Sequence, residues 1–229
     1  LVTKINADSR VSLIGVVRAT YGLDCTWTAA VDGVNVPFNA LTPTAQSFSR
    51  VAVRNNFAYG LLVPGSTFVP GSSVTFRLKA NFAGDNNLYA AFSEINIKVN
   101  AAPSGGSVDV NPPSGSALST PFVLSTAGWT DDAEDFPLSY QFQYQTIASQ
   151  QLLNLQSRSP ANKVSANLPA GHSSSGNAVI LVCTVFDASL AAATLSTTAT
   201  VTENVAIDVT QYVNDQLSNF DSVGDVNTV

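Results

Sequence analysis

Apolar and polar residues alternate over most of this chain, and alternation with a period of two predicts β-strands. In the first half the alternating segments are Val11–Arg18, Cys25–Val31, part of 50–63, Val74–Phe82 and Tyr89–Val99. Turn-forming residues separate them, namely Asp32-Gly33, Pro64-Gly65 and a predicted hairpin tip at Asp85-Asn86-Asn87. The segment from Val34 to Arg50 lacks this alternation and is predicted to be irregular. Short strands at this spacing are typical of a β-sandwich.

The second half repeats this plan with different residues. Strands are predicted near 107–111, 119–127, 138–147, 163–168, 178–187 and 192–202, with a polar excursion at Gln150–Asn162. The segment Asn100-Ala101-Ala102-Pro103 is short and contains proline, so we predict a stiff linker. The expected fold is all-β, with two tandem fibronectin III or immunoglobulin-like antiparallel β-sandwiches formed by residues 1–100 and 101–203.

The C-terminal tail, residues 204–229, has a different period. Its apolar residues fall on one face of a helix that Asp208 is suited to cap: Val205, Val209, Tyr212, Val213 and Leu217. We predict a short helical tail. Because the chain begins within a strand-like segment, Leu1–Ile5, we interpret it as part of a longer protein.

Residues 103–144 are the most distinctive stretch of the sequence. Glycine- and proline-rich turns and an alternating strand precede the segment Gly128-Trp129-Thr130-Asp131-Asp132-Ala133-Glu134-Asp135-Phe136-Pro137-Leu138-Ser139-Tyr140. This pattern predicts a strand, an acidic hairpin and a second strand, with Trp129 buried where the first strand ends. Burial of a whole indole contributes at most about 5 kcal/mol to stability.

This stretch resembles the receptor-for-egg-jelly (REJ) module of polycystin-1-like cell-surface proteins. The resemblance rests on an ordered set of residues: Gly105-Gly106, the segment Pro112–Phe122, Gly128-Trp129, and Pro137-Leu138 followed by Tyr140. Further matches are Leu61–Val63, Val69–Ala80, Asn167–Gly171 and Val182–Asp187, so that the resemblance spans roughly residues 50–202. It implies a fibronectin III-like fold in the extracellular part of a larger surface protein.

The chain departs from this family in one respect. Members often carry one cysteine two residues after the Gly-Gly pair and another two residues before Gly-Trp. Val108 and Thr126 stand at these positions here. Both cysteines are missing together, as expected of bonded partners, and the resemblance therefore implies a sandwich without that disulfide.

The composition indicates an extracellular protein. Charged residues make up 11% of the 229 residues, against about 25% in an average soluble protein. The net charge of −6 argues against nucleic acid and anionic membranes as partners. No apolar run approaches the roughly 18 residues that span a bilayer. The chain has no Asn-x-Ser/Thr sequon for N-linked glycans. Its serine- and threonine-rich loops are compatible with O-linked glycans.

The two cysteines, Cys25 and Cys183, lie in different predicted sandwiches. A disulfide needs Cα atoms about 4.4–6.8 Å apart, which two separate cores do not provide. We expect free, buried thiols; a bond between the two cysteines, or to a partner outside this chain, is the alternative.

The sequence does not predict an enzyme. Its only histidine, His172, lies in a serine- and glycine-rich loop, where we expect it to be solvated rather than part of a catalytic triad. Nucleophile-elbow, zinc-protease and Cys-x-x-Cys motifs are absent from the sequence.

The acidic turn is the best candidate for a binding site. Asp131, Asp132, Glu134 and Asp135 place four carboxylates within five residues. Calcium takes about six to eight oxygen ligands with flexible geometry, so a weak extracellular calcium site is one interpretation. The other is a solvated turn in which aspartates cap backbone amides and no cofactor is bound.

Aromatic residues crowd the first half of the chain, at Tyr21, Trp27, Phe38, Phe48, Phe57, Tyr59 and Phe68. We expect most to be core residues, with an exposed glycan-binding platform as the alternative. The favoured function is a non-catalytic extracellular module that makes protein–protein contacts in adhesion, sensing or spacing. The alternatives are a self-assembling structural subunit of an extracellular filament or coat, and a calcium-dependent or carbohydrate-binding module.

Overall fold

The protein is described by a computed structural model that covers residues 3–50, 55–83, 90–147, 150–206 and, except 212 and 216, 210–218. The strands are β1 (Thr3–Asn6), β2 (Val11–Ala19), β3 (Leu23–Val31), β4 (Val34–Val36), β5 (Ala45–Phe48), β6 (Asn55–Val63), β7 (Ser73–Phe82), β8 (Ala90–Asn100), β9 (Ser107–Asn111), β10 (Ser114–Ser116), β11 (Pro121–Ala127), β12 (Ser139–Thr146), β13 (Leu153–Ser159), β14 (Lys163–Asn167), β15 (Ala178–Phe186) and β16 (Ala192–Thr202). Single 3-10 turns are formed by Ala133–Asp135 and Ser173–Ser175, and the described residues from 210 to 218 are helical. The predicted all-β class is therefore confirmed.

The chain divides into two compact units. The first comprises Leu1–Ala102 and Asp187–Ala191, and the second comprises Pro103–Phe186 and Ala192–Val229. Each unit has its own hydrophobic core between two sheets.

The first unit pairs a wide sheet with a narrow one. The wide sheet has the order β1-β8-β7-β3-β4, with β5 also paired to β3, and the narrow sheet consists of β2 and β6. Strand β1 runs parallel to β8, whereas the other described pairs are antiparallel. On β7 the alternating residues Val74, Phe76, Leu78 and Ala80 are buried. These side chains line the core because every second residue of a strand faces the same side.

The second unit distributes its strands differently. Its larger sheet has the order β10-β16-β15-β12-β13, and its smaller sheet has the order β14-β11-β9. Strand β10 runs parallel to β16. Phe122 and Leu124 from the smaller sheet, together with Phe142 and Leu181 from the larger one, are fully buried.

The two units share one plan, in agreement with the predicted structural repeat. In chain order, β2, β3, β6, β7 and β8 hold the same sheet positions as β11, β12, β14, β15 and β16. They differ in the smaller sheet. The second unit has β9 beside β11, whereas in the described part of the first unit β2 pairs with β6 alone.

The prediction of an acidic hairpin is wrong. Strand β11 belongs to the smaller sheet and β12 to the larger one, so the acidic turn connects two sheets. The alternating residues of both strands face one core, but from opposite sides. Periodicity reports the buried face of a strand and does not report which sheet the strand joins.

Two segments predicted to lack strands contain them. The stretch from Val34 to Arg50 holds β4 and β5, and the polar excursion Gln150–Asn162 holds β13. Strand β13 lies at a sheet edge, and its pairing with β12 is irregular. An edge strand forms through backbone hydrogen bonds and buries few side chains, which explains why its apolar pattern is weak.

Val213 and Leu217 of the predicted apolar face lie among the helical residues of the tail. Val205 precedes the helical residues and is 93% exposed, so it does not belong to the proposed face. Val209, Tyr212 and the predicted cap Asp208 lie outside the described residues, as does the hairpin tip predicted at 85–87.

Candidate functional site

The glycine and tryptophan residues of the REJ-like motif form one packing contact in the second unit. Trp129 is partly buried against the core, and its indole N–H donates a 2.7 Å hydrogen bond to the hydroxyl of Thr126. A Cβ atom on Gly106 would come within 2.2 Å of two indole ring atoms. Gly106 is therefore required by the close approach of the indole. Gly105 and Gly128 have positive φ angles of 76° and 77°, which glycine adopts without strain.

Val108 and Thr126, which replace the family's cysteines, are directly opposite each other on β9 and β11. The register agrees with the expectation that residues at these positions are partners. Thr126 is buried, and its hydroxyl donates to the carbonyl of Ser107 at 2.6 Å while it accepts from Trp129. Hydrogen bonds and packing therefore hold β9 and β11 together at the position where the resemblance implies a disulfide in other members.

The remaining motif residues surround the same core. Leu138 is buried, and Tyr140 packs against the core from β12. Burial raises the pKa of the Tyr140 hydroxyl, and the neighbouring Cys183 adds to this effect. Pro137 is exposed and follows a cis peptide bond with Phe136.

The acidic turn separates its four carboxylates into two pairs. Asp132 and Glu134 are exposed, whereas Asp135 is only 1% exposed. Carboxylate oxygens of Asp131 and Asp135 lie within 4.8 Å of each other, and Asp131 also accepts a 2.8 Å hydrogen bond from the backbone of Asp132. The structure thus brings Asp131 and Asp135 together, and the backbone contact of Asp131 is the kind expected of a capped turn.

His172 belongs to a local turn. Its ring Nδ1 lies 2.7 Å from the hydroxyl of Ser174 and accepts a 3.2 Å hydrogen bond from the Ser174 backbone. The histidine is exposed and caps the 3-10 turn Ser173–Ser175. The geometry of this turn explains why the hydroxyl of Ser174 lies beside the ring of His172.

The two cysteines are free and buried, as predicted. Cys25 lies in the core of the first unit and Cys183 in the core of the second. Burial raises the pKa of the Cys183 thiol to about 11, although a hydrogen bond with Thr126 opposes this rise. Burial also raises the pKa of Cys25, and the charge of Asp24 adds to it. Thiols of this kind are poor nucleophiles at neutral pH.

Most aromatic residues of the first half are core residues, as expected. Trp27 and Tyr59 are buried, and Phe38, Phe48, Phe57 and Phe68 pack against the same core. Tyr21 is the exception, because it is 56% exposed and lies edge-on to Phe82, with ring centroids 5.5 Å apart.

Sequence patterns did not indicate one buried polar network of the first unit. Asn100 is 1% exposed and donates to a carboxylate oxygen of Asp187 at 2.6 Å and to the side chain of Asn6 at 3.0 Å. Asp187 also accepts a 2.8 Å hydrogen bond from the backbone of Ala191. Asn6, Asn100 and Asp187 belong to distant parts of the sequence, so only the fold shows that they form a network.

The fold and these contacts define a tandem β-sandwich module whose characteristic residues serve packing. The REJ domain family model matches residues 4–229, and the chain belongs to the REJ domain family. It is therefore a β-sandwich module of the extracellular type. No helix in the described part of the chain is long and apolar enough to cross a membrane.

Solved structures with similar folds have low sequence identity to this chain, and no curated protein matches it. Domains A168–A170 of titin are 9% identical, with a TM-score of 0.40, and the match covers 87% of this chain and 62% of that one. The Salmonella enterica SafA pilin in complex with the SafB chaperone gives 11% identity, a TM-score of 0.31, and coverage of 87% and 92%. The Bacillus cereus major pilin subunit BcpA gives 8%, 0.32, and coverage of 89% and 65%.

Proposed function

We propose that this chain is a non-catalytic module in the extracellular part of a larger, polycystin-like surface protein, where it acts as a spacer that also contacts other proteins. The observation that carries this proposal is the packing contact between Gly106 and Trp129. The residues that mark the family position a strand and close a core, and they do not converge on a reactive group. A family motif used in this way supports a structural role.

The chemistry of the described residues supports a role without catalysis. Nucleophilic catalysis needs an activated nucleophile beside an oriented base. Ser174 and His172 are close, but both are exposed, and His172 caps the three-residue turn that contains Ser174. The buried thiols have raised pKa values, which favours the unreactive protonated form.

A structural subunit of an extracellular filament or coat is the second candidate. The feature that favours it is strand β2, where the apolar side chains Ile14 and Val16 are 74% and 61% exposed. Exposed apolar residues on an edge strand are suited to pairing between chains.

Location on the cell surface tests the proposal. An antibody against this module should label intact cells, and external protease should remove the signal. A signal that requires permeabilised cells would refute an extracellular role. Sequencing the full-length transcript separates the two candidates, because membrane spans downstream support a receptor and a secreted repeat array supports a filament.

A further inference from the structure

The buried polar network of the first unit gathers oxygen atoms from three side chains. It consists of Asn6 at the end of β1, Asn100 at the end of β8, and Asp187, which begins the segment Asp187–Ala191 of the same unit. Asn6 and Asn100 are directly opposite each other in the parallel pair of β1 and β8. Asn100 is 1% exposed and Asp187 is 2% exposed, whereas Asn6 is half-buried, so the network opens to solvent at Asn6.

The carboxylate of Asp187 is held by neutral donors. One of its oxygens accepts a 2.6 Å hydrogen bond from the side-chain amide of Asn100, and the other accepts a 2.8 Å hydrogen bond from the backbone of Ala191. Neither donor carries a charge. Buried carboxylates are usually paired with a cation or bound to a metal ion, because neutral donors compensate only part of the lost hydration. The position of Asp187 therefore favours a cation.

The side-chain oxygen of Asn100 provides an independent sign of a missing ligand. Asn100 Nδ2 donates to Asp187 and, at 3.0 Å, to Asn6 Oδ1, whereas Asn100 Oδ1 is buried and has no hydrogen-bond partner among the described residues. Native proteins rarely leave a buried acceptor unsatisfied. Rotating the amide by half a turn does not solve this by itself, because Oδ1 would then face two other acceptors. A cation between these oxygens makes the rotated amide favourable.

The surrounding hydrogen bonds hold the other two side chains in place. Asn6 Nδ2 donates to the carbonyl of Ser189 at 2.7 Å, which directs Asn6 Oδ1 towards Asn100. The loop that carries Asp187 is closed by hydrogen bonds from the backbone of Asp187 to Ala191 at 3.0 Å and from the backbone of Leu190 to Asp187 at 3.2 Å. Outer contacts of this kind orient the ligands of metal sites.

We propose that Asn6, Asn100 and Asp187 bind a calcium ion. One carboxylate and two amide oxygens are hard ligands of the kind that calcium prefers, and water molecules entering beside Asn6 complete its shell of about six to eight oxygens. In the bound state the amide of Asn100 is rotated by half a turn, which its broad terminal torsion permits. A site with one carboxylate belongs to the weak extracellular class, with a Kd on the order of 10⁻⁴–10⁻³ M. None of these residues belongs to the acidic turn, and the site does not depend on the proposed function.

Calcium titration of the full 229-residue chain tests the proposal. The protein is first freed of metal with EDTA, and binding of calcium chloride is measured by calorimetry and by melting temperature. We expect binding on the order of 10⁻⁴–10⁻³ M and a higher melting temperature, with a weaker effect of magnesium, which demands a stricter geometry. In NMR spectra the side-chain amide signals of Asn6 and Asn100 should shift with calcium, because rotation of the Asn100 amide changes the hydrogen bonds of both.

Three variants separate a metal site from a structural hydrogen-bond network. Asp187→Asn removes the charge and should weaken calcium binding at least about tenfold. Asp8→Asn removes the same charge from an exposed turn of the first unit and should leave affinity within about twofold of wild type. Asn100→Asp adds a second carboxylate, so it should strengthen calcium binding at least about tenfold and lower the melting temperature in calcium-free buffer, where the two carboxylates repel.

Three outcomes would overturn the proposal. Absence of calcium binding would assign the partner of Asn100 Oδ1 to a buried water molecule. Calcium binding that Asp187→Asn leaves unchanged would place the ion elsewhere in the chain. An Asn100→Asp variant that is destabilised and gains nothing from calcium would show that the asparagine serves hydrogen bonding alone. If Asn100→Asp is unfolded without calcium, its folding on addition of calcium supports the site; if Asp187→Asn is unfolded, the NMR shifts of the wild type decide the question.

Discussion

Replacing Gly106 by alanine should destabilise the second unit through a collision with Trp129. The added Cβ would lie 2.2 Å from two indole carbons and 2.6 Å from the indole nitrogen. No side-chain motion of alanine can relieve this overlap, so the indole must leave its place. Its contacts with the core and its 2.7 Å hydrogen bond to Thr126 are then lost.

The expected cost follows from the area that the indole buries. A partly buried tryptophan removes on the order of 100 Å² from water, worth about 2.5 kcal/mol at ~25 cal/mol per Å². The hydrogen bond adds about 1 kcal/mol. We expect Gly106→Ala to lower the free energy of unfolding by about 2–4 kcal/mol, a large part of the roughly 5–15 kcal/mol available to a small domain. Trp129→Ala should cost about 3 kcal/mol by loss of the same contacts.

A double-mutant cycle measured by urea unfolding tests this reasoning. Once Trp129 is alanine, the methyl group at position 106 meets no indole, so the double mutant should be no less stable than Trp129→Ala alone. Amide exchange should place the loss of protection within residues 103–202. Gly105→Ala is the matched control, because its added Cβ makes only an ordinary 3.6 Å contact and its cost comes from a positive φ angle. That cost should add to the cost of Trp129→Ala. If the Gly106 and Trp129 effects also add, the collision is not the reason for the glycine.

Three further results are expected. Val108→Cys combined with Thr126→Cys should form a disulfide on oxidation and stabilise the second unit by about 1–2 kcal/mol, since a gain of about 3 kcal/mol is offset by the lost threonine hydrogen bonds; no shift in urea midpoint between oxidised and reduced protein would contradict this. Native protein should resist thiol reagents at pH 8, while denatured protein should titrate two thiols. Because the raised pKa keeps the Cys183 thiol protonated in the folded protein, its contribution to the free energy of unfolding should be complete below about pH 9 and decline towards about pH 11; a Cys183→Ala variant should lack this decline. In calcium-free buffer the double variant Asp132→Asn/Glu134→Gln, which changes the exposed pair, should change the free energy of unfolding by less than about 0.5 kcal/mol. If millimolar calcium raises the melting temperature of this variant but not that of Asp131→Asn/Asp135→Asn, the turn is a metal site and the solvated-turn interpretation is refuted.

The strands that could be predicted from the sequence are those whose buried face is defined locally. Strand β7 illustrates this, because every second residue from Val74 to Ala80 enters the core. Strand β13 could not be predicted, since it is held by pairing with β12 and buries little of its own surface. The sequence predicts a turn at the acidic residues, but it assigns the flanking strands to one hairpin, and the four carboxylates give no sign that Asp131 and Asp135 meet. Their pairing depends on the path of the chain between two sheets, which no spacing rule describes.

The position of β9 links the family motif to the smaller sheet of the second unit. Gly106 immediately precedes β9, and the indole that packs over this glycine is held by Thr126 of the neighbouring strand β11. The motif therefore fixes the start of the strand that widens the smaller sheet, where β9 pairs with β11. Thr126 in turn donates to the carbonyl of Ser107, the first residue of β9. One strand thus accounts for the conformation that the motif residues require.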